Sequence, residues 1–358
     1  MPPTEAARPP DKPARPKGQT IRLVIGYAVA AAGLVYVFYD VEWHKFLQSM
    51  IAINWLWIPG AVLLDTLSYA FQGVRWHFLL RPQGPISVWR TTEALYFGVF
   101  LNEILPLRVG ELARGYIVAR WMSKPFVAII PSMALERLME GLCVAVAIAV
   151  TALFIPLPRN LMRAGNILGA AVLAATVLIL YLTLRKKRAS PVAADPPRGR
   201  WGKLGVSLSG FFHRMDSELR AIGLSWNLAG AFGATFLMYA CQILAYWMVM
   251  EAYGIHRSVL IGAIVFLIVH LGTALPNAPA NVGTYQFFCV VALSFFDVDK
   301  SVATGFSVVV FIILSVPLWA LGAVAFVRSG TTLANIRRKI PDLEAQEKAV
   351  VGKGSSPE

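Results

Sequence analysis

Apolar runs of membrane-spanning length recur along this chain, at 21–39, 53–74, 126–155, 165–184, 226–250 and 302–327. A helix rises 1.5 Å per residue, so about 20 apolar residues cross a hydrocarbon layer about 30 Å thick. The residues are 57% hydrophobic and 15% charged, with a mean hydropathy of +0.60. A water-soluble domain carries about 25% charged residues. Lipid must therefore be the solvent for much of this surface, and in lipid a helix satisfies its own backbone hydrogen bonds. The expected fold is all-α integral membrane, with about six spanning helices plus two re-entrant helical hairpins in two inverted-topology halves.

The hairpins are expected where an apolar segment meets a Leu-Pro break and then resumes. Residues 91–120 contain Phe100-Leu101-Asn102, Leu105-Pro106 and Val109-Gly110, and residues 258–296 contain His270-Leu271-Gly272, Leu275-Pro276 and Val282-Gly283. Proline removes a backbone donor and clashes with the preceding turn. Such a break is tolerated at membrane depth only where protein or a wet cavity surrounds it. The tips fall near Leu105-Pro106 and Leu275-Pro276; two kinked spanning helices are the alternative. Similar interrupted segments in matching positions of two halves point to a transporter's binding site.

The organisation read from this pattern is a disordered cytoplasmic tail at 1–20 and membrane half one at 21–155. A helix at 156–184 begins half two, a basic cytoplasmic connector follows at 185–224, the rest of half two spans 225–328, and a cytoplasmic tail covers 329–358. The first apolar run continues past any signal-peptide cleavage site and is read as a retained helix. Lys45, Arg159, Arg163, Arg257 and Lys300 fall on one side, whereas the tails, Arg75, Arg81, Arg90, Arg120, Lys124 and the connector place their bases on the other. The positive-inside rule then makes both termini cytoplasmic, in a multi-pass protein of the bacterial inner membrane. The net charge of +13 sits at the ends of apolar runs, which argues against a nucleic-acid partner. It favours anionic inner-leaflet lipid at the connector.

Charge inside the membrane domain is concentrated in Glu103, Arg108, Glu111 and Arg114 of the first hairpin and in Glu136, Arg137 and Glu140 of the next helix. One unpaired charge at mid-bilayer costs roughly 2.5–3.5 kcal/mol on insertion scales. These residues must pair, and helical spacing allows Arg108–Glu111, Glu111–Arg114 and Arg137–Glu140. The pairs are either a purely structural network or a site where arginine holds an anionic head group through two parallel hydrogen bonds. Asp65 and Glu93 are lesser candidates, Glu93 beside Arg90 at the interface. The second hairpin offers neutral groups: Pro276, Asn277, Pro279, Asn281, Gly283, Thr284, Tyr285 and Gln286. His270 and the separate Cys143, Cys241 and Cys289 read as packing residues. No nucleotide-binding loop, hydrolase elbow or zinc motif is present, so no catalytic residue, cofactor or metal is expected.

The run Asn102-Glu103-Ile104-Leu105-Pro106-Leu107-Arg108-Val109-Gly110-Glu111 with Arg114, then Glu136-Arg137 and Pro276-x-x-Pro279-x-x-x-Gly283-Thr284-Tyr285, resembles the lysylphosphatidylglycerol synthase transmembrane-region family, also called flippase-like, over about 20–330. The resemblance implies a fold similar to the flippase half of the multiple peptide resistance factor, which moves an aminoacylated phospholipid between leaflets. It also implies that Asn102, Pro106, Arg108, Gly110, Glu111, Arg114, Glu136 and Arg137 are functional. The tail is too short for the soluble aminoacyl-transferase domain, so lysine transfer is not expected. Ala280-Asn281 stands where relatives often carry glycine. The expected function is movement of an anionic or zwitterionic lipid (aminoacylated, isoprenoid or hopanoid) between leaflets, with membrane lipid and a lipid-synthesis enzyme as candidate partners. A membrane-embedded lipid-modifying enzyme and a non-catalytic subunit of a lipid-synthesis complex are the alternatives.

Overall fold

The computed structural model describes residues 17–105, 109–154, 226–273 and 278–336, with isolated positions at 163, 167, 169, 170, 174 and 339. Most of the expected 156–184 helix, the 185–224 connector and both outer tails lie outside the described residues, as do Pro106, Arg108, Pro276 and Asn277. Every regular element among the described residues is helical.

Helix α1 (Lys17–Phe38) begins within the stretch read as tail and ends at Asp40, whose φ of 59° turns the chain. Helix α2 (Trp43–Ile51) lies at 91° to it. Residues four apart share a helix face. On α2, Trp43, Leu47 and Ile51 are exposed along one such face, while Phe46 is buried. Helix α3 (Ile58–Leu80) starts with proline in its first turn, where the missing N–H costs nothing. It runs past the expected end at residue 74 and so carries Arg75 into the bundle.

Helices α4 (Val88–Ile104) and α5 (Val109–Trp121) follow, then α6 (Phe126–Phe154) and α7 (Trp226–Ala252). Helices α8 (Val259–Thr273), α9 (Thr284–Ser294) and α10 (Lys300–Arg328) complete the bundle. Ser87 caps α4 by accepting from the Arg90 N–H at 3.2 Å, and the Asp299 carboxylate caps α10 by accepting from Ser301 N–H at 2.9 Å.

Helices α3 and α7 form the central antiparallel pair, with Gly60 against Met248 at one end and Gly230 against Phe78 at the other. The bundle therefore has two poles. One gathers Arg81, Arg90, Arg120, Lys124 and Arg328; the other carries Asp40, Glu42, Glu251, Asp297 and Asp299 with Lys45, Arg257 and Lys300. Arg90 lies 4.9 Å over Trp121 at the basic pole, and Lys300 4.9 Å over Tyr36 at the other.

Helices α4 and α5 pack on each other, as do α8 and α9. The first pair leaves from the α3 end at the basic pole, and the second from the α7 end at the opposite pole. At 17, 13, 15 and 11 residues, these helices span about 26, 20, 22 and 16 Å. None alone covers the hydrocarbon layer of about 30 Å. A 3-10 turn at Pro279–Asn281, inside the second break, packs against α4. The second helix pair thus reaches the first where its 3-10 turn meets α4. Each pair is embedded in its own apolar core, one built around Phe97, Leu101 and Ile117, the other around Val265, Cys289 and Phe306.

Among the described residues, α7 and α10 are long and apolar enough to cross a membrane, and bent α1–α2 makes up to three spans. Ile312, Val316, Leu321 and Val324 leave an exposed apolar stripe on α10. Helices α3 and α6 have the length, at 23 and 29 residues. They also carry charge along their length: Asp65 and Arg75, and Glu136, Arg137 and Glu140.

Candidate functional site

Glycine decides how closely the first helix pair packs. A Cβ on Gly110 would lie 1.9 Å from the Gly98 carbonyl oxygen, and one on Gly98 would lie 2.8 Å from the Gly110 oxygen. Any side chain there forces the helices apart. Asn102 closes the same turn, its Oδ1 accepting from the Gly110 N–H at 2.8 Å. This close approach points Glu111 and Arg114 of α5 toward α6.

There they join a continuous chain of ion pairs. Arg114 forks onto Glu136, with Nη1 and Nη2 donating to the two carboxylate oxygens at 3.2 and 3.1 Å. Arg75 Nη2 donates to Glu136 and, at 2.7 Å, to Glu140. Arg137 then donates to Glu140 at 2.6 Å and to Glu111 at 2.9 Å. Three arginines and three glutamates from α3, α5 and α6 neutralise one another. The Arg114 guanidinium also lies 4.8 Å over the Trp76 ring, and Trp76 Nε1 donates to Ser132 at 3.2 Å.

The chain runs from sealed to open. Arg75 and Glu136 side chains are 0% exposed, Arg114 is 5%, Glu111 is 29% and Arg137 is 47%. Arg137 is thus half exposed while it holds the nearly sealed Glu140. At the sealed end, Arg75 Nε and Nη1 and Arg114 Nε are buried donors with no hydrogen-bond partner among the described residues. Such donors are costly to leave unsatisfied.

This wiring differs from the expected one. Arg114 pairs with Glu136 rather than Glu111, and Glu111 pairs with Arg137, because α6 lies against the face of α5 that carries both. Arg75, counted among the cytoplasmic bases, is the centre of the network: α3 continues to Leu80 and the guanidinium is fully buried. The signal was available, since an arginine four residues after Phe71 on a helix extended by Trp76 and Phe78 to Leu80 has an apolar context. Glu93 pairs with Arg328 at 3.3 Å rather than resting beside Arg90.

Glu103 stands at the end of α4, accepts from Trp319, and keeps a buried Oε2 without a partner. In the second break, Ala280 and Asn281 both adopt left-handed φ, 58° and 56°. That conformation favours glycine, as the resemblance had anticipated at these positions. Gly283, with φ 86°, lies against α1, where a Cβ would sit 2.2 Å from the Ala30 oxygen. Gln286 accepts from its N–H at 2.7 Å. Pro279 opens the 3-10 turn, Thr284 is buried with Oγ1 unpartnered, and Tyr285 packs edge-on to Phe311 at 5.3 Å. His270 meets Tyr239 at 3.4 Å and packs among Tyr239 and Phe266. The three cysteines are free thiols.

A family model described as lysylphosphatidylglycerol synthase TM region matches residues 23–322. A UPF0104 membrane protein of Methanocaldococcus jannaschii is 21% identical over 297 residues, covering 79% of this chain and 87% of the relative. A UPF0104 membrane protein of Methanothermobacter thermautotrophicus is 21% identical over 329 residues, covering 88% of this chain and 96% of the relative.

Proposed function

Since the chain belongs to the lysylphosphatidylglycerol synthase transmembrane-region family, a membrane domain of lipid-related proteins, we propose that it moves a lipid with an anionic or zwitterionic head group between leaflets. The observation that carries this reading is the graded ion-pair chain, whose open end includes Glu111 in the first turn after the first helix break. A purely structural network would gain nothing from leaving one end open. Here the half-exposed Arg137 holds Glu111 and Glu140, and a lipid phosphate can take the place of the Glu111 carboxylate without leaving the guanidinium unpaired.

In this account the two helix pairs are re-entrant hairpins of inverted halves, and rocking of the halves exposes Arg137 to each leaflet in turn. The basic pole faces the cytoplasm, where its arginines meet anionic lipid. The deep pairs, Arg75 and Arg114 with Glu136, hold α3, α5 and α6 together. The work is that of a transporter in the cell's plasma membrane, without chemistry on the lipid.

The test is transfer of phospholipid between leaflets of proteoliposomes containing the full chain. Arg137→Ala should slow transfer by about 10- to 100-fold, the loss expected when one charged hydrogen-bonding group worth about 1.5–3 kcal/mol is removed. Its stability should fall less than that of Arg75→Met, because Arg137 is half exposed and Glu140 keeps Arg75. Unchanged transfer by a folded Arg137→Ala protein would remove the proposed role.

A further inference from the structure

Asp65 stands apart from the ion-pair chain. It lies inside α3, 7% exposed, and no charged group among the described residues acts on it. The titratable groups facing it are phenols: Tyr69 on its own helix, Tyr96 from α4 and Tyr285 from α9. Helices α6, α7 and α10 also pack on α3, and none places a charge against it.

Glu103 is its counterpart on the first helix pair. It accepts from Trp319 of α10, and among the described residues its buried Oε2 has no hydrogen-bond partner and no charged group acts on it. Asp65 and Glu103 each lie about 22 Å along their helices from the basic pole, and so at one level. Tyr69 is within electrostatic range of both and of Glu140, which joins this level to the ion-pair chain. Ring contacts wall the region, with Tyr69 on Tyr96 at 5.9 Å, Tyr285 on Phe311 at 5.3 Å and Phe311 on Trp319 at 6.0 Å.

A carboxylate in such a setting needs a cation, since a bare charge inside the membrane costs several kcal/mol. A metal ion asks for several convergent oxygens. No group of three or more His, Cys, Asp or Glu suited to a metal occurs among the described residues, and the neighbours here are phenols and an indole. The smallest cation that serves is a proton.

We propose that Asp65, with Glu103, is a proton site that couples lipid movement to the proton gradient; this rests on the translocation reading above. A carboxylate oxygen takes a proton from water at one face, forming one O–H bond, and returns the same proton to water at the other. No other bond changes. Glu103, at the end of the first hairpin's α4, senses the state of that break, so loading and unloading can follow the rocking of the halves.

The experiment uses the full chain in phospholipid vesicles containing a pH-sensitive dye, with lipid transfer and internal pH read together. One coupled proton changes the equilibrium ratio of lipid between the leaflets by up to about tenfold per unit of imposed pH difference. Wild-type transfer should respond to the gradient, Asp65→Asn should lose that response, and Asp65→Glu should retain it. Transfer by the wild type that ignores the pH gradient, or that follows a sodium gradient, overturns the coupling and leaves translocation standing. If the wild type transfers no lipid, the translocation reading falls, and the dye decides the proton site: proton flux lost in Asp65→Asn supports it, and equal flux in both overturns it.

Discussion

Replacing Arg75 by methionine removes the α3 cation that touches both Glu136 and Glu140. Six charges that sum to zero become five with a net charge of −1. Both carboxylates are nearly sealed, with side chains 0% and 9% exposed, so water cannot compensate. Breaking a buried pair by deleting one partner costs about 3–5 kcal/mol. Arg114 and Arg137 still hold one carboxylate each, which places the expected loss toward the lower end, about 3 kcal/mol. The assay is reversible unfolding of the purified protein in mixed micelles. Arg75→Met/Glu136→Gln restores neutrality and should recover part of the loss, with a coupling energy of about 1–3 kcal/mol in the double-mutant cycle. A single variant within about 0.5 kcal/mol of wild type, the range of an ordinary surface substitution, would refute the view that this arginine is structurally central.

Gly110→Ala should separate the first helix pair, because its Cβ would sit 1.9 Å from a backbone oxygen; the expected cost is about 1–3 kcal/mol in the same unfolding assay. Arg114→Lys keeps the charge but loses the fork and the planar contact with Trp76. It should destabilise by about 1–2 kcal/mol, less than Arg114→Ala. Orientation is testable on intact cells with an impermeant maleimide: Asp299→Cys should be labelled and Arg90→Cys protected, and the reverse pattern would invert the proposed topology.

The membrane class and the broken segments were legible because both follow from local composition. Apolar runs of spanning length, interrupted at Leu105-Pro106 and Leu275-Pro276, leave few folds open. Glu136, Arg137 and Glu140 were legible as a network for the same reason: charge inside an apolar run must be paired. The wiring was not, because helical spacing ranks partners within one helix, whereas Arg114–Glu136 and Arg137–Glu111 join two helices whose rotation is set by the contact of Gly98 with Gly110. Arg75 was hidden by a boundary. With α3 ending at residue 74 it reads as a cytoplasmic base, and a helix that runs to Leu80 makes it the hub. Asp65 drew notice as a charge, but its phenol neighbours Tyr96 and Tyr285 come from α4 and α9, a tertiary fact.

The most direct test is a structure of the full chain in a lipid nanodisc, with ordered lipid resolved. Leu105 and Ala278, beside the two breaks, should lie near the bilayer centre, with a lipid phosphate in contact with Arg137. Both breaks in the headgroup layer, with Arg137 in bulk water and no lipid beside it, would contradict the proposed function.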